Sequence, residues 1–168
     1  MNEKYFKQVE LLLSILPTVM KEGCFALKGG TAINFFWRNL PRLSIDIDLV
    51  YLPLQDRKNS LSEIDRALMR IKERVCKLHN SCRFIEKRIK GGSCITLSAI
   101  YNDTLVKIEP NMVLRGSIFP TCERDITPEV EKRLNIPSFV TVKSLAKAEL
   151  YGGKIVAALD RQDRKSVV

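Results

Sequence analysis

The stretch Ser-Ile-Asp-Ile-Asp-Leu-Val-Tyr-Leu, residues 44–52, constrains this chain more than any other. Polar and apolar side chains alternate along it, which is the period of a β-strand, and Pro53 ends it. Residues two apart on a strand face the same side. Asp46 and Asp48 are therefore expected side by side, with Ile45, Ile47 and Leu49 on the opposite, buried face. Two adjacent carboxylates repel, and burying them uncompensated costs several kcal/mol. A divalent cation removes that cost, and Mg²⁺ takes one or two carboxylates with water and substrate phosphate as its other ligands. The plainer alternative is two acids on the solvent face of an edge strand.

Two further elements bear on that choice. Gly29-Gly30-Thr31 lies between an apolar run, residues 24–28, that reads as a buried strand and a stretch, AINFFWRNL, that reads as a helix ended by Pro41. Glycines at a strand-to-helix junction let backbone approach a phosphate, and the helix start offers unpaired N–H groups. The alternative there is an ordinary turn with a threonine cap. Glu109 sits in Val-Lys-Ile-Glu, a strand pattern that could run beside the Asp-x-Asp strand. A third carboxylate would complete a two-metal site, able to clamp attacking and leaving oxygens in phosphoryl transfer. Lys107, two residues away, is the competing partner for Glu109.

The rest of the chain supplies the frame. Apolar residues recur at steps of three and four over residues 3–22, predicting a helix that Pro17 kinks or ends. A second amphipathic helix is predicted over 59–79, capped by Asn59, Ser60 or Ser62. Segments 82–90, 93–101 and 104–112 read as strands separated by Gly91-Gly92 and Asn102-Asp103, both good hairpin turns. Residues 113–128 carry no clear period. A short helix is predicted at 127–135, a strand at 137–142, and a helix from Lys143 onward that Gly152-Gly153 weakens. This order predicts an α+β fold with a mixed sheet.

Composition narrows the class. The net charge is +9, which favours anionic partners. Arg66, Arg70, Lys72, Arg74 and Lys77 on the second helix read as a solvated face. Five cysteines, an odd number without a CxxC pair, and a single histidine argue against a disulfide framework or a zinc site and for a reducing cytoplasm. No apolar run approaches the roughly 18 residues of a membrane span, and the N-terminus lacks the pattern of a signal peptide. Lys147, Lys154 and Arg161 are seven apart, so in a helix they form one basic stripe, suited to a triphosphate or simply to solvent.

The order of these parts resembles the polymerase-β-type nucleotidyltransferase superfamily: a Gly-Gly turn, an Asp-x-Asp strand, then an acidic strand. Fifteen residues separate Gly30 from Asp46, somewhat long for that superfamily. Residues 25–51 resemble more closely the AbiEii/AbiGii toxin nucleotidyltransferases of abortive-infection and toxin–antitoxin systems. The matching pieces are Gly29 to Ala32, Arg42-Leu43-Ser44 and Asp46 to Leu49. A second resemblance covers residues 137–162, where Lys154 precedes Ala-Ala-Leu-Asp-Arg.

The resemblance implies a nucleotidyltransferase-like mixed sheet flanked by helices, in residues 1–142. Residues 143–162 would then open a helical C-terminal region. It further implies that Asp46, Asp48 and Glu109 bind two Mg²⁺ ions, and that Gly29, Gly30 and Thr31 hold an NTP with Lys154 and Arg161 assisting. An RNA acceptor, such as the 3′ end of tRNA, and a cognate antitoxin are the implied partners. The family continues beyond this helix with further acidic residues. The terminal Asp163-Arg164-Lys165-Ser166-Val167-Val168 matches one translation frame of a sequencing-adapter oligonucleotide. The hexapeptide is accordingly expected to be non-native, and the chain as it stands incomplete and inactive. Two other readings remain open: a folded remnant without turnover, and a basic module that binds RNA or protein.

Overall fold

A computed structural model describes residues 3–42, 44–90, 92–135 and 140–163, with side chains described up to residue 159. Helix α1, Glu3–Met20, runs through Pro17 without ending there. It buries Val9, Leu12, Ile15, Leu16 and Val19, one apolar stripe at helical spacing. Strand β1, Phe25–Leu27, is buried on both faces. A single helical turn, α2 (Gly29–Thr31), continues directly into a π-helical stretch, Ala32–Trp37. Strand β2, Ile47–Tyr51, returns antiparallel to β1.

Helix α3, Arg57–Leu78, turns Ile64, Leu68, Ile71 and Val75 to the core. Its cap is Asp56, whose side chain accepts a hydrogen bond from the Asn59 backbone N–H at 3.0 Å, so the helix begins earlier than the sequence suggested. Strands β3 (Arg83–Arg88), β4 (Cys94–Tyr101) and β5 (Thr104–Arg115) form the expected antiparallel meander. The turn between β4 and β5 places Asn102 and Asp103 both at positive φ, 47° and 57°, the left-handed pair that a two-residue hairpin requires.

The remaining elements depart from expectation. Strand β6, Cys122–Asp125, falls in the stretch that carried no period. Helix α4, Pro128–Leu134, matches its predicted position. Strand β7, Thr141–Ser144, ends two residues beyond the predicted 137–142, whose first three positions lie outside the described residues, and helix α5, Lys147–Asp163, begins four residues after Lys143. Lys143 and Ser144 are strand residues because Ser144 pairs with Leu27 on one side and Cys122 on the other.

The seven strands order as β3-β4-β5-β2-β1-β7-β6, a mixed sheet flanked by helices as predicted. Helices α1 and α3 cover one face of its β4–β5 half. Buried Leu97, Ala99, Val106 and Ile108 meet them there, each large aliphatic side chain contributing about 1.5–3 kcal/mol. The arginines of α3 are not simply solvated. Arg70 and Arg74 both reach the buried Glu22 at 2.7 Å, and Lys72 meets Glu86 at 2.7 Å. Burial pushes the Glu22 carboxyl up, but the hydrogen bonds and charges of Arg70 and Arg74 outweigh it, and its pKa lies below the ordinary value. Among the described residues, no helix is long and apolar enough to cross a membrane.

Candidate active site

Strand β5 runs parallel to β2, and their register sets Asp48 directly opposite Glu109. Directly paired residues share a face of the sheet, so the two carboxylates lie on one side. Asp46 differs from its predicted setting. It precedes β2, which starts at Ile47, and is held by its backbone: its carbonyl accepts a hydrogen bond from Thr31 Oγ1 at 2.5 Å. Thr31 is fully buried, and its Oγ1 also lies 3.2 Å from Ser44 Oγ, within hydrogen-bond distance. Its hydroxyl therefore ties the Ser44–Asp46 segment to the glycine turn and does not face an open phosphate site.

The glycine turn packs against the same acid. Gly29 has φ +75°, a conformation that side-chain-bearing residues seldom adopt. A Cβ built there would lie 2.7 Å from Asp48 Cγ and 2.8 Å from Asp48 Cβ. The Lys28 backbone N–H donates to the Asp48 carbonyl at 2.9 Å, which locks turn and strand together. At Gly30 a Cβ would lie 3.1 Å from Ser44 Cβ and 3.7 Å from Lys154 Nζ. The exposed Lys154 of α5 thus reaches back over the turn.

Asp48 sits between two cavities. One, of about 300 Å³, is lined by Lys28, Gly29, Asp48, Glu149, Gly153 and Lys154. The other, of about 340 Å³, is lined by Lys28, Asp48, Lys87, Thr96, Glu109 and Asn111, among others. A bulge shapes the second: the β2–β5 register jumps between Leu49 and Tyr51. Asn111 Oδ1 holds the extra residues by accepting from the N–H groups of Val113 and Leu114.

Burial raises the Asp48 pKa above the ordinary carboxylate value. The charges of Asp46 and Glu109 add to that rise, while Lys28 and Lys154 oppose it. Among the described residues no hydrogen-bond donor meets the Asp48 carboxylate. A partly buried carboxylate without a donor, beside two more acids, is a donor set that suits a divalent cation. No three acidic, histidine or cysteine side chains among the described residues already close on one point. Mg²⁺ does not require that, since one or two carboxylates suffice when phosphate and water complete its shell.

Of the residues singled out by sequence, Asp48, Glu109, Gly29, Gly30 and Lys154 come together, and Asp46 adjoins them. The Arg161 side chain lies outside the described residues, as does the 164–168 part of the tail. Lys107 is exposed and makes no ion pair with Glu109 among the described residues. Two residues were missed. Lys28 lines both cavities, and its only sequence signal was adjacency to the glycines. Glu149 accepts from Ser117 Oγ at 2.9 Å and from the N–H groups of Ile118 and Phe119 at 3.0 and 3.3 Å, fixing that loop to the first turn of α5. Nothing in the sequence announced it.

Among solved structures, the fold is similar to MenT4, a nucleotidyltransferase toxin from Mycobacterium tuberculosis, with TM-score 0.58 and 15% identity over 90% of this chain and 52% of that one. JHP933 from Helicobacter pylori aligns with TM-score 0.48 and 16% identity, over 89% of this chain and 63% of that one. The chain thus spans about half the length of MenT4. No curated protein matches the sequence. The profile of the nucleotidyl transferase AbiEii toxins of type IV toxin–antitoxin systems matches residues 10–167. With that match over nearly its whole length, the chain belongs to the AbiEii toxin family.

Proposed function

We propose that this domain transfers a nucleotidyl group from an NTP to an acceptor hydroxyl. The acceptor oxygen attacks the α-phosphorus, the bond from that phosphorus to the bridging oxygen breaks, and pyrophosphate leaves with the electron pair. The acceptor proton passes to a carboxylate of the site or to solvent. In this reading Asp46, Asp48 and Glu109 hold the Mg²⁺ ions. Bound there, divalent cations would neutralise the phosphates and stabilise the developing charge. Gly29 and Gly30 bring bare backbone to the triphosphate, and Thr31 positions Asp46 through its carbonyl. Lys154, with Arg161, pairs with phosphate oxygens, and Lys28 adds a second cation beside Asp48.

One observation carries the reading: Gly29, Lys28 and Lys154 approach the Asp48 carboxylate from the side of one cavity, and Glu109 flanks it from the other. The acceptor is proposed to be RNA, with the 3′ end of tRNA as the first to test. A cognate antitoxin is the proposed protein partner. The test is transfer of label from α-labelled NTP to an RNA pool, with Mg²⁺ and with EDTA. Product with Mg²⁺ that is lost with EDTA and in Asp48→Asn would support the reading. Metal-dependent NTP binding without any product would mark a scaffold that cannot turn over. Transfer retained by Asp48→Asn would reject the assignment of that residue.

A further inference from the structure

The half of the sheet formed by β3, β4 and β5 has two very different faces. Its inner face meets α1 and α3, and the charges of β3 on that side are compensated: Glu86 pairs with Lys72 and Arg88, and Arg88 also reaches Asp65. Among the described residues, no other helix packs on this half of the sheet to that extent, which leaves the outer face open. It presents Arg83, Ile85 and Lys87 from β3, Thr96 and Ser98 from β4, and Lys107 from β5.

Register arranges these residues in rows. Lys87 pairs with Thr96, and Asp48 pairs with Glu109. One rung further out, Ile85 pairs with Ser98 and Ser98 with Lys107. Glu109 follows Lys107 by two residues and Thr96 precedes Ser98 by two, so all share one face. Lys87, Thr96, Glu109 and Asp48 also line one continuous cavity of about 340 Å³. Three strand spacings, roughly 14 Å, separate β3 from β2. Arg83, Lys87 and Lys107 are exposed and have no ion-pair partner among the described residues. Ile85, 59% exposed, lies on the same face as these cations.

We infer that this open face, running from Glu109 outward through Thr96, Lys87, Lys107 and Arg83, is the platform on which a single-stranded RNA acceptor lies. Three uncompensated cations match a phosphate backbone in charge. Their rows lead into the cavity that ends at Asp48 and Glu109, so a strand held there delivers its terminal hydroxyl to the carboxylates. The apolar surface of Ile85, with the Thr96 and Ser98 hydroxyls, offers contact to unpaired bases, which a duplex keeps stacked inside. The inference rests on the transferase reading for the direction of the strand, but binding by the face can be measured without any turnover.

The experiment is anisotropy titration of a fluorescent short single-stranded RNA with the chain carrying Arg83→Ala, Lys87→Ala and Lys107→Ala together. NTP binding is measured on an Arg83→Ala, Lys107→Ala double variant, which leaves the cavity lining intact. A second triple variant, Lys58→Ala, Lys77→Ala and Lys132→Ala, removes equal charge elsewhere on the surface. Single-strand contacts contribute a salt slope of about 0.7 each, so losing three should reduce it by about two. The expected result is RNA affinity weakened tenfold or more by the platform triple, with the control triple much nearer wild type and NTP affinity unchanged in the double variant. A Lys87→Arg, Lys107→Arg protein should retain binding. Equal losses in both triples, no RNA binding by the wild type, or equal loss for duplex RNA would each overturn the inference. So would a platform that captures polyglutamate in preference to RNA. If the wild type binds RNA through this face yet binds no NTP, the platform stands and the transferase reading falls.

Discussion

Asp48→Asn should make the metal-free protein more stable while abolishing its proposed activity. The substitution keeps the shape of the side chain and removes its charge. Asp48 is partly buried, no donor among the described residues meets its carboxylate, and Glu109 stands directly across the strand pair. Strand neighbours lie about 4.8 Å apart. At ~5 Å and an effective dielectric constant near 20, like charges repel by roughly 3 kcal/mol. Asp46 adds repulsion, while Lys28, whose charge acts on Asp48 more strongly than either acid, and Lys154 oppose it. What remains is chiefly the cost of burying the charge, so the net gain on neutralisation is on the order of 1 kcal/mol, or ~2–4 °C in Tm for a domain of this size. The assay is thermal unfolding of wild type and Asp48→Asn in EDTA, then with millimolar Mg²⁺. Wild type should gain stability with Mg²⁺, because a ligand that binds only the folded state shifts the equilibrium toward it. The variant should lose most of that response. A variant less stable than wild type in EDTA, or one that keeps the full Mg²⁺ shift, would refute the argument that Asp48 is an uncompensated charge awaiting a cation.

Three further outcomes are expected. Glu22 has a folded pKa below its unfolded value, so its pairing with Arg70 and Arg74 stabilises fully above the unfolded value near 4.5 and is lost as pH falls through the folded one. Arg70→Ala should therefore cost ~1–3 kcal/mol near neutrality, discounted from a fully buried pair because the arginine is partly exposed. The gap to wild type should narrow in urea titrations at acid pH; a gap that stays constant would show that Arg70 acts by packing alone. Gly29→Ala should cost about 1–2 kcal/mol for the left-handed backbone and displace Asp48. Nucleotide affinity equal to wild type in that variant would contradict the role given to the turn. Asp103→Gly converts the β4–β5 turn to Asn-Gly and should stabilise by about 0.5 kcal/mol, read as a higher denaturant midpoint with unchanged slope; a lower midpoint would show that Asp103 contributes more than its backbone conformation.

The sequence by itself determined the parts whose signal is local. Alternation marked β2 and the meander, helical spacing marked α1 and α3, and Asn102-Asp103 marked its turn, because each pattern reflects the side chain's own backbone geometry and a single buried face. The Gly-Gly turn, Asp48 and Glu109 were legible as separate pieces for the same reason. Tertiary structure decided what depends on a partner distant in sequence. Strand β6, Cys-Glu-Arg-Asp, has no apolar face and exists because β7 supplies its hydrogen bonds. That β7 runs on to Ser144 follows from the pairing of Ser144 with Leu27. The Thr31 hydroxyl could have met a phosphate or capped its helix, but the approach of the Ser44–Asp46 segment gives it a backbone carbonyl. The basic run on α3 read as solvated because charge alone carries no address; the burial of Glu22, 48 residues from Arg70, turns two of those arginines into ion-pair partners. The parallel register of β2 and β5 likewise lay beyond the sequence. That alignment sets Asp48 opposite Glu109, and it comes from the pairing of two strands about 60 residues apart, with α1 packed on β5.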